Sequence, residues 1–340
     1  MNAYERGMSM QTIQRNLRTY RDEIKGIAIL WVVFFHARLG LSGLLYDVQK
    51  IGYGGVDLFF FLSGFGLYHS LKRNHDLGSY LRRRAQRLLP AYLPFCAVWL
   101  AVMLWLTKPG AASAIRMIMG NVFMVGFFSG VPVMINWYVG ALALSLIVAP
   151  LFYAVLAPDV PKRALWLIAG CFLAGLAFID QEAYIVVSRL PVFEAGMALA
   201  GLEKEKPNGK KLAVPLAAAG LLGLAVLMVC FSRFPDVLLT YAMYWHPFFL
   251  IAPAMCAGLG WLFSKCPGKM LSPLRMLGSA SFEIFLFNAW IELLGKKHGL
   301  CPSTGSWILW SAVSIIAGVL YHLVVVKAWP EISKKTQKRG

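Results

Sequence analysis

Charged residues and paired metal-ligating side chains are scarce in this chain. Asp, Glu, Lys and Arg make up 14% of its 340 residues, whereas an ordinary soluble domain has about 25%. The six cysteines are far apart and form no C-x-x-C pair, and the histidines form no H-x-x-H pair. These absences argue against a water-soluble fold, a disulfide framework and a metal site.

Apolar residues dominate instead. They account for 59% of the chain, and the mean hydropathy is +0.63. Runs near the ~20 residues that cross a bilayer recur throughout, which predicts an all-α, polytopic transmembrane bundle of about ten spans. The predicted spans are 26–42, 53–71, 88–106, 136–156, 164–180, 190–202, 212–231, 239–263, 276–295 and 305–326. An eleventh run, 113–135, is broken by glycine and proline, so we expect a re-entrant or interfacial segment on the outer side.

The positive charge fits this topology. There are 33 basic and 16 acidic residues, a net charge of +17, but long apolar runs separate the basic residues, which argues against a nucleic-acid partner. With ten spans, 25 of the 33 basic residues fall in alternate segments. The positive-inside rule assigns those segments to the cytoplasm.

We therefore expect a multi-pass protein of the bacterial cytoplasmic membrane. Its predicted parts are a basic cytoplasmic segment (1–25), a transmembrane domain (26–326) and a cytoplasmic tail (327–340).

The first span carries a cation and a histidine at helical spacing. Lys25 and His36 are eleven residues apart, which places them on one helix face about 16 Å apart along the axis. Ionisable groups inside a membrane are expensive and therefore point to function. The alternative is that Lys25 only anchors the helix at the membrane surface and His36 is a hydrogen-bonded structural residue.

Two further ionisable sites lie within and after the second span. Arg84 and Arg87 share a helix face at the cytoplasmic side, where two guanidinium groups suit bidentate binding of phosphates. Topology-setting arginines would look similar. Asp57, early in the second span, could orient His36 as the third member of a triad, or could pair with any nearby cation.

Other polar residues in later spans fit structural roles. Helix packing through interhelical hydrogen bonds is an adequate account of Glu283 and Asn288. Trp137 and Tyr138 are typical of an aromatic belt at the membrane interface. Arg189 and Glu194 lie in the segment RLPVFEAG at the start of the sixth span.

Three segments match one family in order and position. They are the Lys25-to-His36 spacing, the segment GGVDLFFFLSGF, and the Arg84–Arg87 pair before LLPAY. Weaker matches follow in NWYVGALALSLIVAPLF, RLPVFEAGMALAG and LGSASFEIFLF. The chain resembles the acyltransferase 3 family of integral-membrane O-acyltransferases, in the short form without an SGNH-type domain.

The resemblance implies a reaction and a set of roles. The donor would be cytoplasmic acyl-CoA, by default acetyl-CoA, acting as a co-substrate with no bound cofactor, and the acceptor a hydroxyl of an envelope glycan or related molecule. Lys25, Arg84 and Arg87 would hold the CoA phosphates. His36, with Asp57, would be the catalytic group, as general base or as transient acyl carrier.

The supporting or acceptor-side set is Trp137, Tyr138, Arg189, Glu283 and Asn288. Two positions depart from the family pattern: Asn288 stands where many members have histidine, and Gly140–Leu142 where many have a glutamate. If those groups contact the acceptor in relatives, the acceptor here differs. A transporter or flippase is the rival function, and a non-catalytic scaffold is a third.

Overall fold

The computed structural model describes residues 9–130, 137–178, 183–202, 213–234, 246–297, 299 and 301–337. Within those residues the chain is helical and contains no β-strand, which confirms the all-α prediction. The helices are α1 Met10–Thr19, α2 Arg21–His36, α3 Gly43–Lys50, α4 Gly55–Arg73, α5 Leu77–Thr107, α6 Ala111–Val122, α7 Trp137–Leu156, α8 Val160–Leu176, α9 Tyr184–Val187, α10 Leu190–Gly201, α11 Ala213–Arg233, α12 Phe248–Phe263, α13 Ser272–Ser279, α14 Ser281–Lys297 and α15 Thr304–Gln337. Short 3-10 turns occupy Gly52–Gly54 and Gly126–Ser129.

Six helical stretches of the described chain are long and apolar enough to cross a membrane. They are Gly43–Arg73, Leu77–Thr107, Trp137–Leu156, Tyr184–Gly201, Ala213–Arg233 and Thr304–Val325. This supports a multi-pass membrane protein. The count of ten spans and the cytoplasmic position of both termini stay predictions. Parts of the predicted inner segments, at 1–8, 203–212 and 338–340, lie outside the described residues.

Three predicted spans have different limits in the structure. The first ends at His36 rather than at 42, because Ala37 is extended and Gly40 has a φ of 64°, which stops the helix. The ninth is divided at Ala280 into α13 and α14. The tenth continues as helix to Gln337, beyond the apolar part of the predicted span.

The segment 72–87, which separates the second and third predicted spans, is mostly the start of α5. Asp76 caps that helix, and its Oδ2 accepts a hydrogen bond from the Ser79 backbone N–H at 2.6 Å. The hydroxyl and backbone N–H of Ser79 hold the pKa of exposed Asp76 below its usual value. Arg84 and Arg87 therefore sit on one continuous helix.

Glycines bring the central helices into close contact. A Cβ at Gly64 of α4 would overlap the carbonyl oxygen of Phe193, and one at Gly196 of α10 would overlap that of Phe61. Gly26 of α2 and Gly278 of α13 make the same kind of contact between their helices. Gly64 lies in the segment GGVDLFFFLSGF, and small residues of this kind let membrane helices approach closely.

Peripheral helices present apolar side chains outward. On α8, α11 and α15, residues such as Trp166, Leu221 and Leu320 are more than half exposed, which fits a lipid environment better than water. The 12-residue helix α6 is about 18 Å long, shorter than the ~30 Å hydrocarbon core. The expected re-entrant or interfacial position of 113–135 stays a prediction.

Candidate active site

Four basic side chains meet at one end of a cavity of about 480 Å³, here called the central cavity. Arg21 and Lys25 come from the first turns of α2, and Arg84 and Arg87 from α5. The structure therefore brings together the three basic residues singled out in the sequence and adds Arg21. Arg21 lies four residues before Lys25, a helical spacing that could have revealed it.

Little negative charge balances this cationic mouth. Lys25 is 8% exposed, and its Nζ lies 3.2 Å from Asp22 Oδ1. Glu23, the next acidic residue, is bound instead by Arg275, whose Nη2 lies 2.7 Å from its Oε1. Arg84 donates a hydrogen bond to the hydroxyl of Ser70 at 3.0 Å. Because the four cations repel one another across a partly desolvated space, an anionic ligand would be stabilised there.

The cavity wall beyond the mouth is mostly apolar. Its lining includes Phe59 and Ser63 of α4 and Tyr138 and Leu142 of α7. Tyr138 is buried, and its ring centroid lies 4.2 Å from that of Phe285. The interfacial-belt interpretation is therefore wrong for Tyr138, because α4, α7 and α14 enclose its ring. A mouth of cations joined to an apolar wall suits a ligand with a phosphate head and a flexible, weakly polar arm.

A histidine–carboxylate pair also lines the central cavity. His322 Nδ1 lies 3.0 Å from Glu283 Oε1, and both residues border the space. The sequence assigned Glu283 to helix packing and gave His322 no role. His322 escaped notice because its partner is 39 residues away, on another helix.

His36 is the last residue of α2, and its ring contacts two residues of α14. Its Nδ1 lies 2.9 Å from Asn288 Oδ1, and its Nε2 lies 3.2 Å from Glu292 Oε2. Asn288 and Glu292 are four residues apart and so share a helix face. The hydrogen bond of Asn288 joins α14 to α2, as the interhelical hydrogen-bond interpretation predicts. Glu292 is an addition to the predicted set. His36 itself is not among the residues that line the central cavity.

Asp57 does not orient His36. Its Oδ1 accepts a hydrogen bond from Arg189 Nη1 at 2.6 Å, and both side chains are fully buried. The guanidinium also lies over the ring of Trp137, 5.5 Å from its centroid. The first turn of α4 faces the start of α10, so Asp57 meets a cation there. The triad interpretation is wrong, and the alternative, pairing with a nearby cation, is what the structure contains.

Two polar features lie near this ion pair. The hydroxyl of Tyr184 and Nε2 of His246 form a hydrogen bond. Glu194 is fully buried, and neither carboxylate oxygen has a hydrogen-bond partner among the described residues. These groups add buried polar atoms to the interior around α9 and α10.

The family comparison covers nearly all of these features. The family described as an acyltransferase domain matches residues 19–326 of the chain. The chain belongs to this family. The matched range of this acyltransferase includes the cationic mouth, whose first residue is Arg21. It also includes the His322–Glu283 pair. The resemblance drawn from the sequence motifs is confirmed, and membership favours acyl transfer over transport.

Two curated proteins are similar to this acyltransferase. BcsY of Komagataeibacter xylinus, named as a membrane-bound transacylase, is 30% identical over 233 residues, which are 61% of this chain and 58% of that protein. The exopolysaccharide production protein ExoZ of Rhizobium meliloti (strain 1021) is 28% identical over 306 residues, 85% of this chain and 91% of its own length. No solved structure matches the chain.

Proposed function

We propose that this membrane acyltransferase transfers an acyl group, by family default acetyl, from cytoplasmic acyl-CoA to a hydroxyl of an envelope glycan. The protein would act in the bacterial cytoplasmic membrane. The observation that carries the proposal is the central cavity, in which four cations meet at one end of a mostly apolar space. The similarity to an exopolysaccharide production protein supports a glycan acceptor.

The donor would bind with its diphosphate at the cationic mouth. Arg84 and Arg87 supply planar guanidinium groups that can each hold two phosphate oxygens, and Lys25 supplies a point charge. The acyl-pantetheine arm would run along the wall formed by Phe59, Tyr138 and Leu142. A cavity of about 480 Å³ lies within the usual range for a small-molecule site.

His36 would act as the general base, reached by an acyl-pantetheine arm that extends past the central cavity along α2. It takes the proton of the acceptor hydroxyl while that oxygen attacks the thioester carbonyl. The new C–O bond forms, the C–S bond breaks, and the CoA thiolate takes the proton back from His36, leaving an ester and a free thiol. Since a carboxylate only accepts hydrogen bonds, Glu292 would keep a proton on Nε2 and stabilise the imidazolium. The hydroxyl of the acyl acceptor would then take the place of Asn288 Oδ1 beside Nδ1 and donate its hydrogen bond there.

His322 is the second candidate base, because it lies inside the central cavity with its own carboxylate partner. The two histidines can be separated by experiment. We expect His36→Ala to lower acyl transfer by about 10²–10⁴-fold without changing acetyl-CoA affinity, since His36 does not line the cavity. Glu292→Gln should give a smaller loss of kcat, again at constant affinity.

The measurement combines calorimetric binding of acetyl-CoA to the purified protein in nanodiscs with mass spectrometry of envelope glycans from cells. Cells lacking the gene should lose an acyl mass from the glycan, and cells carrying His36→Ala should lose it too. Full activity of His36→Ala together with an inactive His322→Ala would move the base to His322. Absence of acetyl-CoA binding in the wild type would contradict the donor assignment.

A further inference from the structure

A second basic cavity adjoins the central one. It measures about 580 Å³ and is called the rim cavity; its polar lining is Arg18, Arg21, His69, Lys72 and Arg73. Arg21 lines both cavities. The mechanism proposed above uses the central cavity alone and gives no role to the other basic residues of the rim.

Three helices converge to form the rim cavity. Arg18 lies in the last turn of α1 and Arg21 begins α2, while Lys72 and Arg73 lie in the last turn of α4. His69 is three residues before Lys72 and four before Arg73, so all three lie towards one side of α4. Basic side chains that only set the membrane topology would extend separately into water or lipid headgroups. These side chains instead surround a common space.

Gly66 places Arg21 between the two cavities. A Cβ at Gly66 would lie 3.0 Å from the Cζ and Nη2 atoms of Arg21, so the guanidinium packs against the bare backbone of α4. None of the described residues that line the rim cavity is acidic. The two cavities thus form adjacent positive sites with one shared arginine.

Acyl-CoA carries negative charge in two places. One is the diphosphate, and the other is a 3′-phosphomonoester on the ribose, which holds close to two charges at neutral pH. We propose that the rim cavity binds this phosphomonoester while the central cavity holds the diphosphate, an inference that rests on the proposed donor. Lys72 and Arg73 would then determine specificity for the phosphorylated form of CoA. An anionic lipid headgroup offers similar chemistry, but a site that shares Arg21 with the donor cavity favours the donor itself.

The test compares acetyl-CoA with 3′-dephospho-acetyl-CoA by calorimetry on the full-length protein in zwitterionic nanodiscs. The wild type should bind acetyl-CoA about tenfold or more tightly, as expected for a charged hydrogen-bonded contact. The double variant Lys72→Gln/Arg73→Gln should bind both donors with the affinity that the wild type has for the dephospho form. That retained affinity also shows that the variant is folded. Lys162→Gln, which removes an exposed charge outside both cavities, should keep the wild-type preference.

The failures are distinguishable. A wild type that binds neither donor contradicts the proposed function. Equal affinity for the two donors overturns the rim-cavity proposal and leaves the acyl-CoA donor in place. If the double variant also loses binding of phosphatidylglycerol in that case, the occupant of the rim cavity is a lipid headgroup.

Discussion

Asp57 and Arg189 form an ion pair that is fully shielded from solvent. Removing charges from water is costly, and the pair recovers that cost only while both partners and their hydrogen bonds are present. Trp137 adds a ring face on the guanidinium. The pair therefore ties α4 to the start of α10 and holds Trp137 at the beginning of α7.

The role of Asp57 as structural partner rather than catalytic residue can be tested by stability. Asp57→Ala leaves a buried, uncompensated arginine and should lower the free energy of unfolding by about 3–5 kcal/mol. Asp57→Ala/Arg189→Met should be less destabilising than Asp57→Ala, because no uncompensated charge remains. Thermal unfolding in detergent, read by fluorescence size-exclusion, measures both. An Asp57→Ala protein with wild-type stability and no acyl transfer would return Asp57 to the reaction.

The positions of residues on one helix face were predictable, whereas contacts between helices were not. The helical period alone placed Lys25 and His36 on one face of α2. The partner of Asp57 is 132 residues away, and the partner of His36 on α14 is 252 residues away. Local periodicity does not report which of several intramembrane cations or amides will face a given side chain.

At the scale of helices, the closest packing is made by glycines. Gly64 and Gly196 each place the backbone of α4 or α10 against a carbonyl oxygen of the other helix. Without a hydrophobic driving force between helices in lipid, such contacts hold them together through close packing. The same two helices carry Asp57 and Glu194, so their separation would also disturb the polar interior.

A matched pair of glycine substitutions isolates this effect. Gly64→Ala should lower stability by more than about 1–3 kcal/mol, the usual cost of overpacking, because the obstacle is backbone that cannot rotate away. Gly170→Ala on α8 is the control: nothing lies within 4 Å of the added Cβ, and alanine is the better helix former. Its stability should equal or exceed that of the wild type. Equal melting temperatures for the wild type, Gly64→Ala and Gly170→Ala would contradict a stabilising role for the close contact between α4 and α10.

Helix existence was largely predictable from hydropathy, but helix breaks were not. The apolar run over 276–295 is continuous, yet the helix stops at Ser279 and restarts at Ser281. Gly278 packs against the backbone of α2 at Asp22, a tertiary contact that no local pattern encodes. The same limitation applies to Arg84 and Arg87: their shared face was predictable, but the cavity that they border with α2 was not.

Over the whole molecule, the net charge of +17 has both a topological and a chemical component. Four of the lysines and arginines border the central cavity, and three others, Arg18, Lys72 and Arg73, border the rim cavity together with Arg21. Such a concentration of one sign raises the local concentration of anionic ligands and makes their binding sensitive to ionic strength.

Salt therefore tests the assignment of the cationic mouth. Acetyl-CoA affinity should fall steadily with added sodium chloride, and Arg84→Ala/Arg87→Ala should both weaken binding and flatten that dependence. We expect a loss of about tenfold or more at low salt. Lys162→Ala serves as the control and should follow the wild-type curve. A double variant with unchanged affinity would identify the two arginines as topology anchors only.

The length of α2 also affects the fate of the acyl group. Its 16 residues span about 24 Å, less than the ~30 Å of a hydrocarbon core, and the chain then turns away into α3. With its start at the cytoplasmic surface, as the proposed topology requires, α2 would hold His36 short of the full thickness. The side chain of His36 is only 20% exposed. Excluding water from a reacting site suppresses the hydrolysis of activated acyl intermediates. A reacting histidine below the opposite surface would keep the acyl group away from bulk water until an acceptor hydroxyl reaches it. The short helix would therefore favour acyl transfer over hydrolysis.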